Sequence, residues 1–250
     1  IYMKPFFTVI SPSLNEEHYL PILLGCLANQ TFKNFEVIHV DGSSEDKTVE
    51  QATAFKDRLD IKSIVVKKRN VCFQRNTGAN AANGEWLMFI DSDDQIEADF
   101  LLKIHDYVTT HQIHVLSTFY QPDTNKFTHH FLASIVNWLS YFLQYSQLPF
   151  ITESVFIFKR EEFLKVGGFD ESLKASEGTD ITQRAKKEGF VYKMIRSPKY
   201  SFSMRRVESQ GLLKAIKNNA TIGFKMFLGK KMTKDNLKDL YPMEGGGKYK

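Results

Sequence analysis

The chain has few cysteines and no recognisable export signal. Only Cys26 and Cys72 occur among its 250 residues, and each lies in an apolar neighbourhood. Two such cysteines indicate neither a disulfide framework nor a cysteine-based metal site, and a reducing compartment is expected. Residues 1–7 lack the charged, apolar and cleavage regions of a signal peptide, so secretion is not expected.

A long membrane-spanning run is also missing. The longest stretch without a charged residue, 131–152, is interrupted by serine, asparagine, glutamine and proline, and we interpret it as non-spanning. Its apolar residues recur at helical spacing, and two aromatic residues among them suit an interface: Phe131, Ile135, Leu139, Phe142, Trp138 and Tyr141. This helix belongs either to the core or to a lid over an acceptor.

Positive charge is in slight excess and is unevenly distributed. The formal net charge is +4, and the basic residues concentrate at 67–69, at Arg205-Arg206 and between 214 and 234. Such clusters indicate anionic partners such as nucleotide diphosphates or lipid headgroups. No nucleic-acid partner is expected. We predict a cytoplasmic protein with a peripheral contact at the cytoplasmic face of the membrane.

Short apolar runs alternate with helical patterns through the first half of the chain, as in successive βαβ units. We predict strands at 7–10, 35–40, 64–66 and 86–90, and helices at 16–29 and 48–56. The second half is less regular, with predicted strands at 114–119, 155–158 and 192–195 and helices at 161–166 and 179–187. The pattern predicts one α/β domain, residues 1–210, with a Rossmann-like, mostly parallel sheet flanked by helices.

Residues 211–250 are predicted to form a C-terminal helical extension. Its apolar residues from Leu212 to Leu228 fall on one helical face, with lysines on the other faces. A basic amphipathic helix of this kind lies on an anionic membrane surface or packs on its parent domain, and packing is the more common arrangement.

The sharpest chemical signal is Asp91-Ser92-Asp93-Asp94, which directly follows the apolar run 86–90. Three carboxylates at the end of a buried strand concentrate negative charge, which a hard divalent cation would neutralise. A bound Mg²⁺ or Mn²⁺ would also stabilise a diphosphate as a leaving group. The competing interpretation is that these residues cap a helix beginning near Ala98.

A second polar cluster, residues 41–48, follows the strand predicted at 35–40. Gly42 permits a tight turn, and the carboxylate of Asp41 can accept a hydrogen bond from an N–H of a nucleotide base. Ser44 or Asp46 is expected to cap the next helix, a role that does not explain Asp41. Both clusters follow strands, at the edge where open α/β sheets bind ligands.

Five motifs follow one another in a characteristic order: Pro-Ser-Leu-Asn-Glu-Glu at 12–17, the segment 40–48, Gln-Arg-Asn-Thr-Gly-Ala at 74–79, the segment 84–94, and Val-Gly-Gly-Phe-Asp-Glu at 166–171. In this order and spacing, over about residues 7–206, the chain resembles the family 2 glycosyltransferases. The resemblance implies the A-type glycosyltransferase fold and a divalent cofactor, Mn²⁺ or Mg²⁺. It also implies an inverting transfer from a UDP- or GDP-type sugar donor to a hydroxyl of a glycan or lipid-linked acceptor.

The resemblance further implies roles for individual residues. Asp41 matches the family's base-reading aspartate, and Asp91 and Asp93 match the ends of its D-x-D metal motif, with Asp93 as the direct ligand. The remaining donor-site residues that it implies are Pro12, Asn15, Glu16, Arg75 at the base or ribose, and Ser92. Gly167, Gly168 and Phe169 either shape the acceptor side of the cleft or form a simple turn.

The catalytic base departs from the family pattern. Related sequences carry a Glu-Asp pair at the start of a helix, whereas this chain has Glu177-Gly178, with Asp180 and Arg184 following. The base is therefore Glu177, which holds the family's acidic position, or Asp180, or it is missing. An inverting transfer needs one carboxylate within hydrogen-bond reach of the acceptor hydroxyl.

Paired arginines form the last candidate element. Ser203-Met204-Arg205-Arg206 resembles a Ser-x-Arg-Arg element of small members of the family. Planar guanidinium groups suit phosphate oxygens, so Arg205 and Arg206 either bind the diphosphate or lie solvated at the surface.

Two other interpretations of the sequence compete with a transferase. A non-catalytic subunit that binds or scaffolds a nucleotide sugar would explain Gly178. A nucleotidyltransferase is disfavoured because that class needs a glycine-rich basic loop after the first strand, where this chain has Ser-Pro-Ser-Leu-Asn-Glu-Glu at 11–17.

Overall fold

An eight-stranded sheet forms the centre of the computed structural model, which describes residues 4–151, 154–227 and 230–237. Its strands are β1 (Phe7–Ser13), β2 (Phe35–Asp41), β3 (Ile61–Val65), β4 (Trp86–Ile90), β5 (Gln95–Ile96), β6 (Val115–Pro122), β7 (Val155–Lys159) and β8 (Tyr192–Phe202). They lie in the order β3-β2-β1-β4-β7-β6-β8-β5.

Helices connect and cover these strands. They are α1 (Leu20–Ala28), α2 (Thr48–Thr53), α3 (Val71–Ala81), α4 (Phe100–Thr110), α5 (Phe127–Leu143), α6 (Arg160–Lys165), α7 (Glu177–Lys187), α8 (Arg205–Gln210), α9 (Leu212–Phe227) and α10 (Lys234–Leu237). Among these residues no helix is both long enough and apolar enough to cross a bilayer.

Two apolar cores lie on opposite faces of the sheet. Consecutive strand residues alternate between them: Val9 packs in one core with α1 and α4, and Ile10 in the other with α3 and α7. This alternation follows from the period of two in a strand. Because both faces are covered, the central strands are apolar throughout, and all five residues of β4 are buried.

The predicted α/β class and flanking helices are confirmed, and the sheet is mixed. Among the described strands, β1, β2, β3 and β4 pair in parallel, as do β6 and β8. Antiparallel pairs join β7 to β4 and β6, and β5 to β8. Each of these antiparallel pairs includes β7 or β8, strands from the second half of the chain, where the predicted pattern was less regular.

The interpretation of the acidic tetrad as a helix cap is wrong. The strand β5 follows it at Gln95, and the next helix, α4, begins only at Phe100. The amide of Asp94 instead donates to the carbonyl of Asp91 at 3.2 Å, so the tetrad forms a tight turn at the end of β4.

The C-terminal extension is helical, as predicted, and it returns to the domain. Ile222 of α9 packs with Ala175, Met232 and Leu237, and the amide of Lys174 donates to the carbonyl of Met232 at 2.8 Å. Leu213, Ile216 and Phe224, on the predicted apolar face, are exposed. The expectation that this face packs on the domain is therefore wrong for these three residues. The side chain of Phe227, Leu228 and residues 238–250 lie outside the described part of the chain.

Close packing of α3 against the sheet depends on Gly78. A Cβ atom at this position would lie 2.5 Å from Cγ2 of Ile10 and 3.4 Å from Cγ2 of Val40. Nothing lies within 4 Å of a Cβ built on Gly25, which is also inside a helix. Both glycines lie inside helices, and they differ in the space that is available for a Cβ atom.

We predict that Gly78→Ala lowers the free energy of unfolding by about 1 to 3 kcal/mol, because the added methyl overpacks the contact between α3 and β1. The matched control Gly25→Ala should raise it by up to about 1 kcal/mol, because alanine is the better helix former. Urea titrations followed by circular dichroism measure both. Equal changes in the two variants would contradict the proposed close approach.

Candidate functional site

The candidate site lies at one edge of the sheet, beyond the carboxyl ends of β1, β2 and β4. Because β1 runs parallel to both β2 and β4, the chain leaves all three strands at the same edge. The polar segments 14–17, 42–48 and 91–94 therefore meet there, as expected for a ligand site of an open α/β sheet.

Side-chain hydrogen bonds tie the loops after β1 and β2 together. The amide of Asn15 donates to Oγ of Ser44 at 2.8 Å, and the amide of Glu45 donates to Oδ1 of Asn15 at 2.8 Å. The amide of Glu16 donates to Oγ1 of Thr48 at 2.8 Å. Asn15 has a φ of 56°, a left-handed conformation that asparagine tolerates better than most residues. These contacts fix the two loops as one unit.

Asp41 ends β2 beneath these loops and is fully buried. Its carboxylate accepts hydrogen bonds from the amide of Ser44 at 2.8 Å, from Oγ of Ser44 at 2.5 Å and from Oγ of Ser13 at 3.3 Å. Pro12 pairs with Val40 in the register of β1 and β2, one residue before the pair of Ser13 with Asp41. Asp46 accepts hydrogen bonds from the amide and hydroxyl of Thr48, the first residue of α2. The N-cap of α2 is Lys47, without a side-chain capping bond, so the expectation that Ser44 or Asp46 caps this helix is wrong.

A buried histidine, His39, contacts Ser13, whose hydroxyl donates a hydrogen bond to Asp41. Nε2 of His39 lies 2.6 Å from Oγ of Ser13, and its Nδ1 lies 3.2 Å from Oγ of Ser63. Burial lowers the pKa of His39 to about 4, although the nearby charge of Asp41 opposes this shift. At neutral pH the ring is uncharged and holds the hydroxyl of Ser13 in place.

Four carboxyl groups, Glu16, Asp91, Asp93 and Asp94, gather around the end of β4. Arg205 meets them at the start of α8: its Nη2 donates to Oδ2 of Asp93 at 2.7 Å and to Oε2 of Glu16 at 3.0 Å. The guanidinium carbon of Arg205 also lies 3.6 Å from the centre of the Tyr19 ring. Arg205 thus links the loop after β1, through Glu16, to the acidic turn, through Asp93.

Burial, together with the charges of neighbouring carboxylates, shifts the pKa values of Glu16, Asp94 and Asp91 upward. Burial, then the charge of Asp93, raises the pKa of Glu16 to about 7, although Arg205 opposes the shift. Burial, followed by Asp93 and Asp91, raises the pKa of Asp94 well above its usual range. Burial likewise raises the pKa of Asp91 to about 6, opposed by Arg75. Four carboxyl groups share two arginines, Arg75 and Arg205, and a bound cation would favour the ionised form of these groups.

A second arginine, Arg75 of α3, lies on the other side of the acidic turn. Its side chain is only 1% exposed, with Nη2 donating to Oδ1 of Asp91 at 2.7 Å and Nη1 donating to Oε1 of Glu177 at 2.7 Å. Its guanidinium carbon lies 5.7 Å from the ring centres of Phe156 and Phe169. Arg75 therefore links the acidic turn to the first residue of α7.

Asp180, the other candidate base, has a local partner. Its Oδ2 accepts from Nε of Arg184 at 2.8 Å, one helical turn further along α7. The two Nη atoms of Arg184 donate to the carbonyls of Val166 and Gly168 at 2.8 and 2.7 Å. Arg184 thus fastens the glycine turn to α7, and Asp180 orients Arg184.

The glycine turn and Gly178 both have structural reasons for their residue types. Gly167 and Gly168 have φ values of 85° and 69°, which favour glycine. A Cβ atom on Gly178 would lie 3.0 Å from Cδ1 of Ile151, so an acidic side chain here would need Ile151 to move. The side chain of Asn76 holds Phe169 after the turn, accepting from its amide at 2.9 Å and donating to its carbonyl at 3.0 Å.

The structure brings most of the predicted site residues together. Asn15, Glu16, Asp41, Arg75, Asp91, Asp93, Glu177 and Arg205 surround the edge formed by β1, β2 and β4. Ser92 is buried, and Arg206 is exposed at the start of α8. Arg75 is buried between two carboxylates, so its predicted contact with a base or ribose stays a prediction.

Three supporting residues were not among the predicted site residues: Tyr19, His39 and Asn76. Asn76 lies inside the quoted motif 74–79, which was a usable signal. The roles of Tyr19 and His39 depend on partners far along the chain, Arg205 and Ser13, so no local pattern indicates them.

The protein supplies two accessible carboxylates for a cation, the side chains of Asp91 and Asp93, which are 36% and 26% exposed. Within the described residues no group of three histidine, cysteine or acidic side chains is arranged to hold a metal ion. A Mg²⁺ or Mn²⁺ ion commonly takes one or two carboxylates and completes its shell with substrate phosphates and water. The donor set fits that arrangement.

Fold and site together define a Rossmann-like α/β protein. Its candidate ligand site is acidic, is flanked by two arginines, and lies beyond the carboxyl ends of β1, β2 and β4. A family model described as glycosyl transferase family 2 matches residues 8–167. The chain belongs to this family.

Relatives and solved structures agree with that membership. A PGL/p-HBAD biosynthesis glycosyltransferase of Mycobacterium tuberculosis is 35% identical over 111 residues, which cover 43% of this chain and 43% of that protein. The chain thus matches less than half the length of this relative.

Two solved structures share the fold. Staphylococcus aureus TarS residues 1–349 in complex with UDP superimposes with a TM-score of 0.65 at 24% identity, over 80% of this chain and 60% of that one. The mannosyltransferase PcManGT from Pyrobaculum calidifontis, in complex with GDP-Man and Mn²⁺, gives a TM-score of 0.74 at 16% identity, over 96% of this chain and 68% of that one. At these identities the likeness establishes the fold, the A-type glycosyltransferase fold that the resemblance implied.

Stability should fall in acid because of His39. Its pKa is about 4 in the folded chain and about 6.5 when unfolded, so between these pH values only the unfolded state gains a proton. We predict that this group removes about 3 kcal/mol of stability as pH falls from 6.5 to 4. Urea titrations at several pH values should therefore show a weaker acid dependence in His39→Gln than in the parent. The control His111→Gln, at an exposed position, should follow the parent.

Removal of Arg75 should take away a cation that pairs with both Asp91 and Glu177. We predict that Arg75→Gln lowers the free energy of unfolding at pH 8 by about 3 kcal/mol, and by less at pH 5, where Asp91 gains a proton. Arg69→Gln, which breaks the exposed pair with Glu45, should cost less than about 1 kcal/mol. Thermal and urea unfolding measure both variants. Equal losses, or a loss independent of pH, would contradict the bridging role of Arg75.

Proposed function

We propose that this protein is an inverting glycosyltransferase that moves a sugar from a UDP- or GDP-type donor to a hydroxyl of a glycan or lipid-linked acceptor. The observation that carries the proposal is the position of Arg75. The guanidinium of Arg75 donates hydrogen bonds to Asp91, one of the two proposed metal ligands, and to Glu177, the candidate base at the start of α7. Family membership supports the same chemistry. Because the chain matches only part of the length of its relatives, its substrates are part of the proposal.

The proposed donor site begins at Asp41 and ends at Arg205. Asp41 lies under the joined loops after β1 and β2 and reads the base, with Pro12, Asn15 and Glu16 around the nucleotide. Nη1 of Arg205 is buried and has no hydrogen-bond partner among the described residues, so it is a donor available for a phosphate oxygen. The complexes of TarS with UDP and of PcManGT with GDP-Man support a nucleotide-sugar donor in this fold.

Asp91 and Asp93 are the proposed ligands of Mn²⁺ or Mg²⁺, with Ser92 between them. The bound ion would neutralise charge that develops on the leaving diphosphate. Arg205 adds to the same effect from the other side of Asp93. The Mn²⁺ in the PcManGT complex supports a divalent ion in this fold.

Glu177 is the proposed base, and Asp180 is the second candidate. The base takes the proton of the acceptor hydroxyl, the acceptor oxygen attacks the anomeric carbon, and the sugar–diphosphate bond breaks with its electron pair on the diphosphate. Glu177 is the better candidate for the base because the guanidinium of Arg75 bonds both Glu177 and the proposed metal ligand Asp91. Asp180 is engaged with Arg184, which holds the glycine turn.

A nucleotide-sugar-binding or scaffolding subunit without catalysis is the alternative. Gly178, at the position where relatives carry an aspartate, is the observation that favours it. Its packing against Ile151 gives the glycine a structural reason that does not require loss of activity.

The test measures nucleoside diphosphate released from UDP-, GDP- and dTDP-sugars with Mn²⁺ or Mg²⁺, with and without candidate acceptors. Calorimetry measures donor binding to the same preparations. We predict that Asp93→Asn abolishes metal-dependent release. Glu177→Gln should lower kcat by about 10² to 10⁴-fold and keep donor binding, since a general base contributes about that much. Asp180→Asn should lower kcat by less.

Asp99→Asn is the matched control, because Asp99 pairs only with Lys103 in the part of its surroundings that the structure describes, at a half-exposed site on α4. It should retain full activity. A larger loss in Asp180→Asn than in Glu177→Gln would assign the base to Asp180. Donor binding without release from any sugar would instead favour the non-catalytic subunit.

A further inference from the structure

The helix α5 is inverted relative to an ordinary surface helix. Its buried side carries polar or small residues: His129, Ala133, Asn137 and Ser140. Its outward side is apolar, with six side chains between 40% and 79% exposed, which we call the α5 face: Phe127, Phe131, Ile135, Trp138, Leu139 and Phe142. A helix at the surface of a water-soluble domain normally shows the opposite arrangement.

Hydrogen bonds lock the helix in this orientation. Asn137 pairs with the main chain of β6, donating to the carbonyl of Tyr120 at 2.8 Å and accepting from its amide at 3.2 Å. At the other end, Oε1 of Gln144 accepts from the amide of Met194 on β8 at 3.0 Å. Rotation that buried the apolar side would break both contacts. The exposed apolar surface is therefore a fixed feature of the domain.

The segment that carries the α5 face has no acidic residue of its own, although Glu208 of α8 pairs with Lys126 at its start. The sequence from 124 to 152 contains no aspartate or glutamate. On the neighbouring strand β8, Nζ of Lys193 lies 5.5 Å from the ring centre of Tyr145, and the guanidinium of Arg196 lies 6.0 Å from that of Trp138. Aromatic and aliphatic side chains bordered by cations match a surface that is apolar in depth and anionic at its boundary.

A second copy of the chain fits this surface less well. A two-fold contact through the α5 face would bring the cations of one copy towards those of the other, because such an interface pairs the same patch with itself. A bilayer that contains anionic lipids satisfies both the apolar residues and the cations.

Both ends of α5 connect to the candidate site. Lys126, just before the helix, pairs with Glu208 of α8 at 2.6 Å, and α8 begins with Arg205. After the helix, Nζ of Lys186 on α7 donates to the carbonyls of Gln144 and Ser146 at 2.7 and 2.5 Å. The helix that begins with Glu177 and the helix that begins with Arg205 are thus both joined to the segment that carries the α5 face.

We propose that the α5 face docks on a membrane surface that contains anionic lipids, with Phe131, Trp138 and Phe142 entering the interface and Lys193 and Arg196 contacting headgroups. The inference deepens the proposed function, because it makes the acceptor lipid-linked and brings it to the cleft from the bilayer. Lipid binding itself needs no donor, metal or turnover. It can therefore be tested separately from the chemistry.

Tryptophan fluorescence gives a direct reading of the docking. The chain has two tryptophans, and Trp86 is 3% exposed whereas Trp138 is 40% exposed. We expect that vesicles of phosphatidylcholine with phosphatidylglycerol shift the emission to the blue and sediment the protein. Trp138→Phe should lose the shift and keep sedimenting. Pure phosphatidylcholine vesicles should bind more weakly, by about tenfold or more, because two cations lose their partners.

Two double variants separate the apolar from the ionic contribution. Phe131→Ser/Phe142→Ser should weaken vesicle binding by about tenfold or more, since two exposed rings can no longer be buried. Lys193→Gln/Arg196→Gln should weaken binding to anionic vesicles and leave binding to neutral ones unchanged. The matched control Leu102→Ser/Leu164→Ser removes exposed leucines of α4 and α6 and should bind as the parent does.

Unchanged vesicle binding in Phe131→Ser/Phe142→Ser, or no binding by the parent, would overturn the proposal. So would a dimer of the parent that the same double variant converts to monomers without any vesicle binding, because the face would then belong to a second copy. Circular dichroism of each variant checks that the fold is intact. Activity on a water-soluble acceptor, measured in parallel, shows whether the chemistry stands when the docking does not.

Discussion

The buried guanidinium of Arg75 is the contact on which the candidate site depends. Arg75 belongs to α3, and its guanidinium donates hydrogen bonds to Asp91 after β4 and to Glu177 at the start of α7. It also lies near the rings of Phe156 and Phe169. Burial penalises a charge that has no partner, so the guanidinium, 1% exposed, and Glu177, 8% exposed, stabilise each other, and Asp91 adds a second, more exposed carboxylate. The pairing therefore fixes three separate elements relative to one another.

Arg205 repeats this arrangement on the other side of the acidic turn. It joins the loop after β1, through Glu16, to Asp93, and its guanidinium lies against the ring of Tyr19. The turn after β4 is thus held between two arginines, and burial together with the neighbouring carboxylates raises the pKa values of Glu16 and Asp91. A site with this distribution of charge suits a cation and an anion bound side by side.

The antiparallel strand β7 explains how the second half of the chain reaches the site. Pairing of Val155 with Ile90 places the start of β7 at the carboxyl end of β4. Thr179 contacts the main chain of Ile151 just before β7, so α7 enters at the same edge. The segment that includes α5 packs on β6 and β8 and is joined to α7 through Lys186.

Much of this organisation could be predicted from the sequence. The alternation of strands and helices, the carboxylates of Asp41 and Asp91 at strand ends and the turn glycines 167 and 168 follow from local periodicity and turn chemistry. Each of these signals lies within a short window of residues, so it can be recognised without knowledge of the fold. The order of the five motifs indicated the family, and the family resemblance implied the roles of the individual site residues.

Only the tertiary structure decided which charges meet and which apolar surfaces stay open. Arg75 and Glu177 are 102 residues apart, and Glu16 and Arg205 are 189 apart, so no local pattern pairs them. Periodicity showed that Phe131, Ile135 and Phe142 share one side of a helix, but it could not show which side faces the domain. That choice belongs to Asn137 and Gln144, whose hydrogen bonds to β6 and β8 form only once the sheet is assembled.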